Sequence, residues 1–130
     1  MYWNIALLEG GLSRWGWAQN SIVVVDPAAR TARFTHEYQV LKHVASAVHA
    51  GARRLETVTA TGYENQLAFV GPDGTVVLVI QNELAEPMPI RVLVGERVLA
   101  ATLPADSLST FTVRPARGAT AASFPAGRTR

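Results

Sequence analysis

Gln66-Leu67-Ala68-Phe69-Val70-Gly71-Pro72-Asp73-Gly74-Thr75-Val76-Val77-Leu78-Val79-Ile80-Gln81 is the stretch that decides the fold. Two strand-length apolar runs flank a Gly71-Pro72-Asp73-Gly74 turn, which predicts a β-hairpin with Thr75 to Gln81 as its return strand. Working outward, the same pattern repeats on both sides. Leu55 to Ala60 reads as a strand before the hairpin. Pro89 to Val94, a Gly95-Glu96 turn, Arg97 to Leu103 and Leu108 to Val113 follow it. Five or six strands at such short spacing predict a β-sandwich or open barrel.

Upstream the pattern changes. Tyr2-Trp3-Asn4-Ile5-Ala6-Leu7-Leu8 is nearly continuous apolar sequence, which suits a strand buried on both faces. It stops at Glu9-Gly10-Gly11, and a loop over 12–20 carries Trp15 and Trp17 around Gly16. Ile22 to Val25 predicts another strand, closed at Asp26-Pro27, with Thr31 to Phe34 placed to pair back on it. Thr35 is a good N-cap for one helix from His36 to about Ala50, and Gly51 supplies its stop. Tyr38, Leu41, Val44, Ala45 and Val48 form a single apolar stripe that needs a partner layer.

Composition bounds the rest. The chain of 130 residues is 48% hydrophobic and 17% charged, a globular balance sufficient for one domain and little more. The longest apolar run, Val76 to Ile80, is of strand length, so no membrane span is expected. Met1-Tyr2-Trp3-Asn4 lacks the basic and apolar regions of a signal peptide, which leaves the compartment unassigned. The absence of cysteine excludes disulfides, cysteine nucleophiles and thiolate metal sites. Arg114, Arg117, Arg128 and Arg130 account for the positive balance; without them 8 basic face 10 acidic residues. No basic cluster sits on a folded element, so nucleic-acid binding is not expected. Arginine supplies 11 of the 12 basic side chains, which suits a GC-rich bacterial genome.

Catalytic machinery is mostly missing. There is no Gly-x-Ser-x-Gly elbow, phosphate-binding glycine loop or His-Glu-x-x-His. His36, His43 and His49 lack the spacing of a metal pair and read as solvated helix residues. Glu9 closes an apolar strand, where barrel enzymes place catalytic groups, but it serves equally to fix its turn or to pair with Arg14. A retaining glycosidase needs two carboxyls about 5–5.5 Å apart. No second acid lies near a comparable strand end. Neither a catalytic pair nor a metal or cofactor set is therefore assigned. Trp3, Trp15 and Trp17 all lie in the first 17 residues. Indole faces stack on sugar rings, and they equally anchor cores. The residues alone leave both readings open, with exposure favoured for Trp15 and Trp17 in their glycine loop.

Taken together, these blocks resemble a known family. Trp3 to Gly11, Ser13-Arg14-Trp15-Gly16-Trp17-Ala18-Gln19-Asn20-Ser21 and Val25-Asp26 resemble the end of the catalytic barrel in glycoside hydrolase family 30. That family includes glucosylceramidases, β-xylosidases, glucuronoxylanases and β-1,6-glucanases. Glu37 to His43, Val48 and Gly51-Ala52-Arg53-Arg54 resemble its last barrel helix and the exit into its β-sandwich. Phe69, Pro72-Asp73-Gly74, Val76 to Asn82, Leu103-Pro104-Ala105, Ser107 and Thr110 resemble the sandwich itself.

The resemblance implies a mainly β chain: a sandwich over 53–114, preceded over 1–52 by the eighth strand, loop and helix of a (β/α)₈ barrel. The remainder, 115–130, is expected to be a disordered tail. It implies cleavage of β-linked glycosides with retention, with carbohydrate as substrate and the rest of the barrel as partner. The family's acid/base and nucleophile glutamates follow the fourth and seventh barrel strands, and both would lie upstream of Met1, leaving this chain inactive alone. Trp3 matches a tryptophan that walls the sugar subsite, and the Trp15–Asn20 loop matches the cleft rim. His36 stands where relatives carry proline. The family's sandwich also takes strand material from the enzyme's N-terminus, which this chain lacks, so an unpaired barrel strand and an exposed helix face are expected. Two alternatives remain: a stand-alone carbohydrate-binding β-sandwich, and a structural partner completing another chain through Tyr2–Leu8 and the helix stripe.

Overall fold

The computed structural model describes residues 4–115, so Trp3 and residues 116–130, most of the expected tail, lie outside the described residues. The chain divides into two compact units, Met1–Lys42 and His43–Arg130.

The first unit holds a three-stranded sheet of β1 (Ala6–Leu8), β2 (Val23–Asp26) and β3 (Thr31–Phe34), in that order. Strands β2 and β3 form the expected hairpin, with Asp26 opposite Thr31. Asp26 Oδ1 accepts the backbone N–H groups of Ala28 and Ala29 at 2.9 and 3.0 Å, which fixes the turn. Strand β1 runs parallel to β2, with Leu7 opposite Val24. Two expectations change here. The strand is paired on one edge rather than unpaired, and it is not buried on both faces: Ile5 and Leu8 are 70% and 59% exposed. One neighbour strand covers one edge, and of the three strand residues only Leu7 is half-buried.

Helix α1 (His36–Ala45) begins where expected but ends earlier. Its winding continues as irregular turns, through Val48 N–H to Val44 O at 2.8 Å, until Gly51 turns the chain at a φ of 84°. The Thr35 hydroxyl donates to Ser21 O at 2.6 Å and ties the helix start to the residues just before β2. In the first turn the Glu37 carboxyl sits below its ordinary value, chiefly because its own backbone N–H hydrogen-bonds it and then because of the Thr35 side chain. Phe34 stacks on Tyr38 with ring centroids 4.0 Å apart. No helix residue is fully buried.

The second unit is the expected mainly β domain. A four-stranded antiparallel sheet has the order β4 (Arg53–Leu55), β5 (Gln66–Val70), β6 (Val76–Asn82), β9 (Ser107–Val113). A second sheet is the hairpin of β7 (Met88–Val94) and β8 (Arg97–Leu103). The register puts Leu55, Ala68, Leu78 and Phe111 in one row across the larger sheet. Alternation places this row on the face that packs with Met88, Ile90, Val92, Val94, Leu99 and Leu103 of the hairpin. Strand β6 is central, and all five residues from Val76 to Ile80 are buried, Val77 and Val79 on the opposite face. That explains why the run is apolar without alternation. Burying each such side chain stabilises the fold by roughly 1.5–3 kcal/mol.

The deciding hairpin turn is held by Asp73, whose Oδ1 accepts from Thr75 N at 3.0 Å and whose Oδ2 accepts from the Thr75 hydroxyl at 2.8 Å. These bonds, the side-chain one first, hold the Asp73 carboxyl below its ordinary value. The strand expected over Leu55–Ala60 is only three residues long, Arg53–Leu55, after which the chain runs irregularly to Asn65. Val58 in that segment is 92% exposed.

Candidate functional site

The tryptophan loop grows out of β1. Gly10 takes a φ of 70°, Gly11 N–H returns to Leu8 O at 2.9 Å, and the chain folds into a small hairpin closed by a Leu12–Ala18 bridge. Ser13 organises the tip. Its carbonyl accepts Gly16 N–H at 2.9 Å, and its hydroxyl oxygen accepts the N–H groups of Trp15 and Trp17 at 3.2 and 3.1 Å. Gly16 has a φ of 80° and open space where a Cβ would stand, so glycine is required there by backbone conformation rather than by crowding.

This turn projects both indoles to the same side. Trp15 and Trp17 are 70% and 68% exposed, their ring centroids lie 5.8 Å apart, and their planes are tilted by 32°. Arg14 lays its guanidinium 5.6 Å from the Trp15 ring centroid, a cation–π contact on one indole face. Large exposed aromatics on a hydrogen-bonded turn offer a stacking surface. Trp3, expected to join them, lies outside the described residues.

Glu9 does not pair with Arg14. Its two carboxylate oxygens accept from Arg33 Nη2 at 3.0 and 2.9 Å, joining the end of β1 to β3. Both side chains are mostly exposed, so the bridge adds at most about 1 kcal/mol. The geometry makes Glu9 a structural partner of a strand neighbour.

The three helix histidines separate. His36 and His49 are exposed, but His43 is half-buried and its Nδ1 lies 2.9 Å from the Thr110 hydroxyl of β9. His43 was read with the other two as a solvated helix residue, and nothing local in the sequence pointed to β9, 67 residues away. Asn82 is a further residue that the sequence did not single out. Fully buried at the end of β6, it donates to Glu86 O at 2.9 Å and Pro104 O at 2.7 Å and accepts from Leu84 N at 3.0 Å. A polar residue closing an apolar run was the only available signal.

The profile of the Glycosyl hydrolase family 30 beta sandwich domain matches residues 51–111. A comparison with curated proteins gives no match. Among solved structures, the chain is similar to SrfJ from Salmonella typhimurium, with 30% identity and a TM-score of 0.80, over 88% of this chain and 26% of that one. It is also similar to the endo-β1,6-glucanase BT3312, with 26% identity and a TM-score of 0.72, over 87% of this chain and 26% of that one. The chain thus spans about a quarter of the length of the structures it matches. With its strand order and core in place, the segment over 51–111 belongs to the glycosyl hydrolase family 30 β-sandwich domains.

Proposed function

We propose that the chain is the C-terminal segment of a retaining glycoside hydrolase acting on β-linked glycosides. In this reading it supplies the last barrel strand and helix together with the accessory sandwich, and the partner is the remainder of the catalytic barrel. The observation that carries the reading is the exposed Trp15–Trp17 pair, set on a structured loop immediately after β1 in the unit preceding the matched sandwich. The likeness to two longer structures, one of them an endo-β1,6-glucanase, extends over nearly nine-tenths of the chain and supports the same assignment.

Each part then has a role. In this reading the indoles of Trp15 and Trp17 line the rim of the sugar cleft, and Trp3 walls the sugar subsite. Glu9 bridges to Arg33 and holds the strand end from which the loop departs. Protonation of the leaving group and nucleophilic attack require a close carboxylate pair, which the barrel partner provides. The chain alone therefore turns over no glycoside.

A stand-alone carbohydrate-binding module is the second reading, favoured by the same exposed indoles. Tryptophan fluorescence titrated with xylan and β-glucans separates the two. A cleft rim without its cleft gives no saturable quenching. Saturable quenching that disappears in Trp15→Ala and Trp17→Ala would replace the proposal with the binding module.

A further inference from the structure

The turn between β5 and β6 carries a reactive peptide bond. Of the chain's three aspartates, Asp26 precedes a proline, Asp106 a serine and Asp73 a glycine, and no asparagine precedes a glycine. Aspartate can reroute its own backbone in two steps. The amide nitrogen of the next residue bonds to the carboxyl carbon Cγ, and the hydroxyl of the neutral acid leaves as water with the amide hydrogen. Solvent water then reopens the cyclic imide. Opening at the α-carbonyl leaves the chain running through Cγ as isoaspartate, one backbone carbon longer, with the lost water regained. Proline has no amide hydrogen to give up and a serine Cβ crowds the approach, whereas glycine offers no such obstacle.

The folded turn opposes each step. Gly74 donates its N–H to Gly71 O at 3.0 Å, and Gly71 donates to Thr75 O at 2.8 Å. With Pro72 in the second position and no positive φ at Asp73, the turn is type I, followed by Gly74 in the left-handed region at a φ of 79°. The ψ of Asp73 is then near 0°. Ring closure needs Cβ and the Gly74 nitrogen to eclipse about the Cα–C bond, roughly 120° away from that value. The carboxyl is held as well. Its Oδ1 accepts from Thr75 N–H at 3.0 Å and its Oδ2 from the Thr75 hydroxyl at 2.8 Å. These bonds favour the charged form, which has no hydroxyl to lose.

We propose that Asp73-Gly74 is a site of spontaneous isomerisation to isoaspartate that the folded turn keeps closed, with the Thr75 hydroxyl as its guard. The peptide is exposed at Asp73 and half-buried at Gly74, so solvent water reaches it and hydrogen bonding, not burial, protects it. An added backbone carbon lengthens the loop that sets the Val70–Val76 pairing, the first of the β5–β6 register.

Incubation at neutral pH, followed by digestion with a protease that cuts before aspartate but not before isoaspartate, reads the change at this bond. The unmodified chain in urea is expected to isomerise at least about tenfold faster than the native chain, since several turn hydrogen bonds are lost together. Thr75→Val keeps a β-branched strand residue and its N–H but removes the hydroxyl. Under native conditions it is expected to isomerise about fivefold faster, the worth of one hydrogen bond. Thr75→Ser restores the hydroxyl and should return the rate to that of the unmodified chain. Asn82→Ala weakens the same domain without touching the turn, and should isomerise more slowly than Thr75→Val. Equal rates in native and urea-unfolded chain, an unmodified rate in Thr75→Val, or a faster rate in Asn82→Ala than in Thr75→Val each overturns the proposal.

Discussion

Replacing Asn82 tests how the two sheets of the sandwich are held at one end. Its amide donates to Glu86 O, just before β7, and to Pro104 O, just after β8, while its carbonyl accepts from Leu84 N–H. In Asn82→Ala three hydrogen bonds vanish, each worth about 0.5–1.5 kcal/mol net. Pro104 O keeps a bond from the Ser107 hydroxyl at 2.7 Å, so the Leu84 amide and the Glu86 carbonyl are the groups left without that partner. Leaving such groups unsatisfied raises the loss to about 2–5 kcal/mol. Asn82→Asp is diagnostic, because it keeps the shape, loses both donors and turns a carboxylate towards two carbonyl oxygens. It should cost at least as much as alanine at neutral pH, with part of the loss restored when the carboxyl is protonated. Urea unfolding followed by far-ultraviolet circular dichroism is the suitable assay, since the three tryptophans all lie in the other unit. A loss below about 1 kcal/mol for alanine, or no loss for aspartate, would refute this account of the corner.

Three further outcomes follow from the geometry. Asp73 has a folded-state value below its unfolded one, so its contribution is fully present above the ordinary carboxylate range and disappears as pH falls through the folded value. The stability gap between the unmodified chain and Asp73→Asn should therefore stay constant from pH 5 to 7 and close on acidification, as read by urea midpoints. Glu9→Gln should lose no more than about 1 kcal/mol, because its bridge to Arg33 is exposed, and that small loss should shrink further in high salt. Gly16→Ala should lose about 1–2 kcal/mol through its left-handed backbone alone and should alter the near-ultraviolet signal of the Trp15–Trp17 pair. An unchanged signal would mean that the turn does not set the indole geometry.

The sandwich was legible because its signals are local. The Pro72-Asp73-Gly74 turn, the unbroken Val76–Ile80 run and the Gly95-Glu96 turn each combine a backbone requirement with a burial pattern of matching period. Where the outcome depended on neighbours, the residues were silent. Thr57-Val58-Thr59 has strand composition, yet it pairs with nothing in the described structure and leaves Val58 in solvent. The run Ile5 to Leu8 reads as doubly buried, but burial needs layers on both sides, and here it has one flanking strand. For Glu9 the sequence offered its own turn or nearby Arg14 as partners, whereas the β2–β3 hairpin brings Arg33 to it. Exposure of Trp15 and Trp17 followed from the glycine turn. Their mutual tilt depends on the Ser13 hydroxyl bonds, which no periodicity reveals.

Hydrolysis of an aryl β-glycoside by the purified chain tests the proposed role most directly. The account predicts no aglycone release above buffer, because the close carboxyl pair that retaining hydrolysis requires belongs, in the proposed reading, to the rest of the barrel. Release that persists through repeated purification and is lost in Glu9→Gln would contradict it.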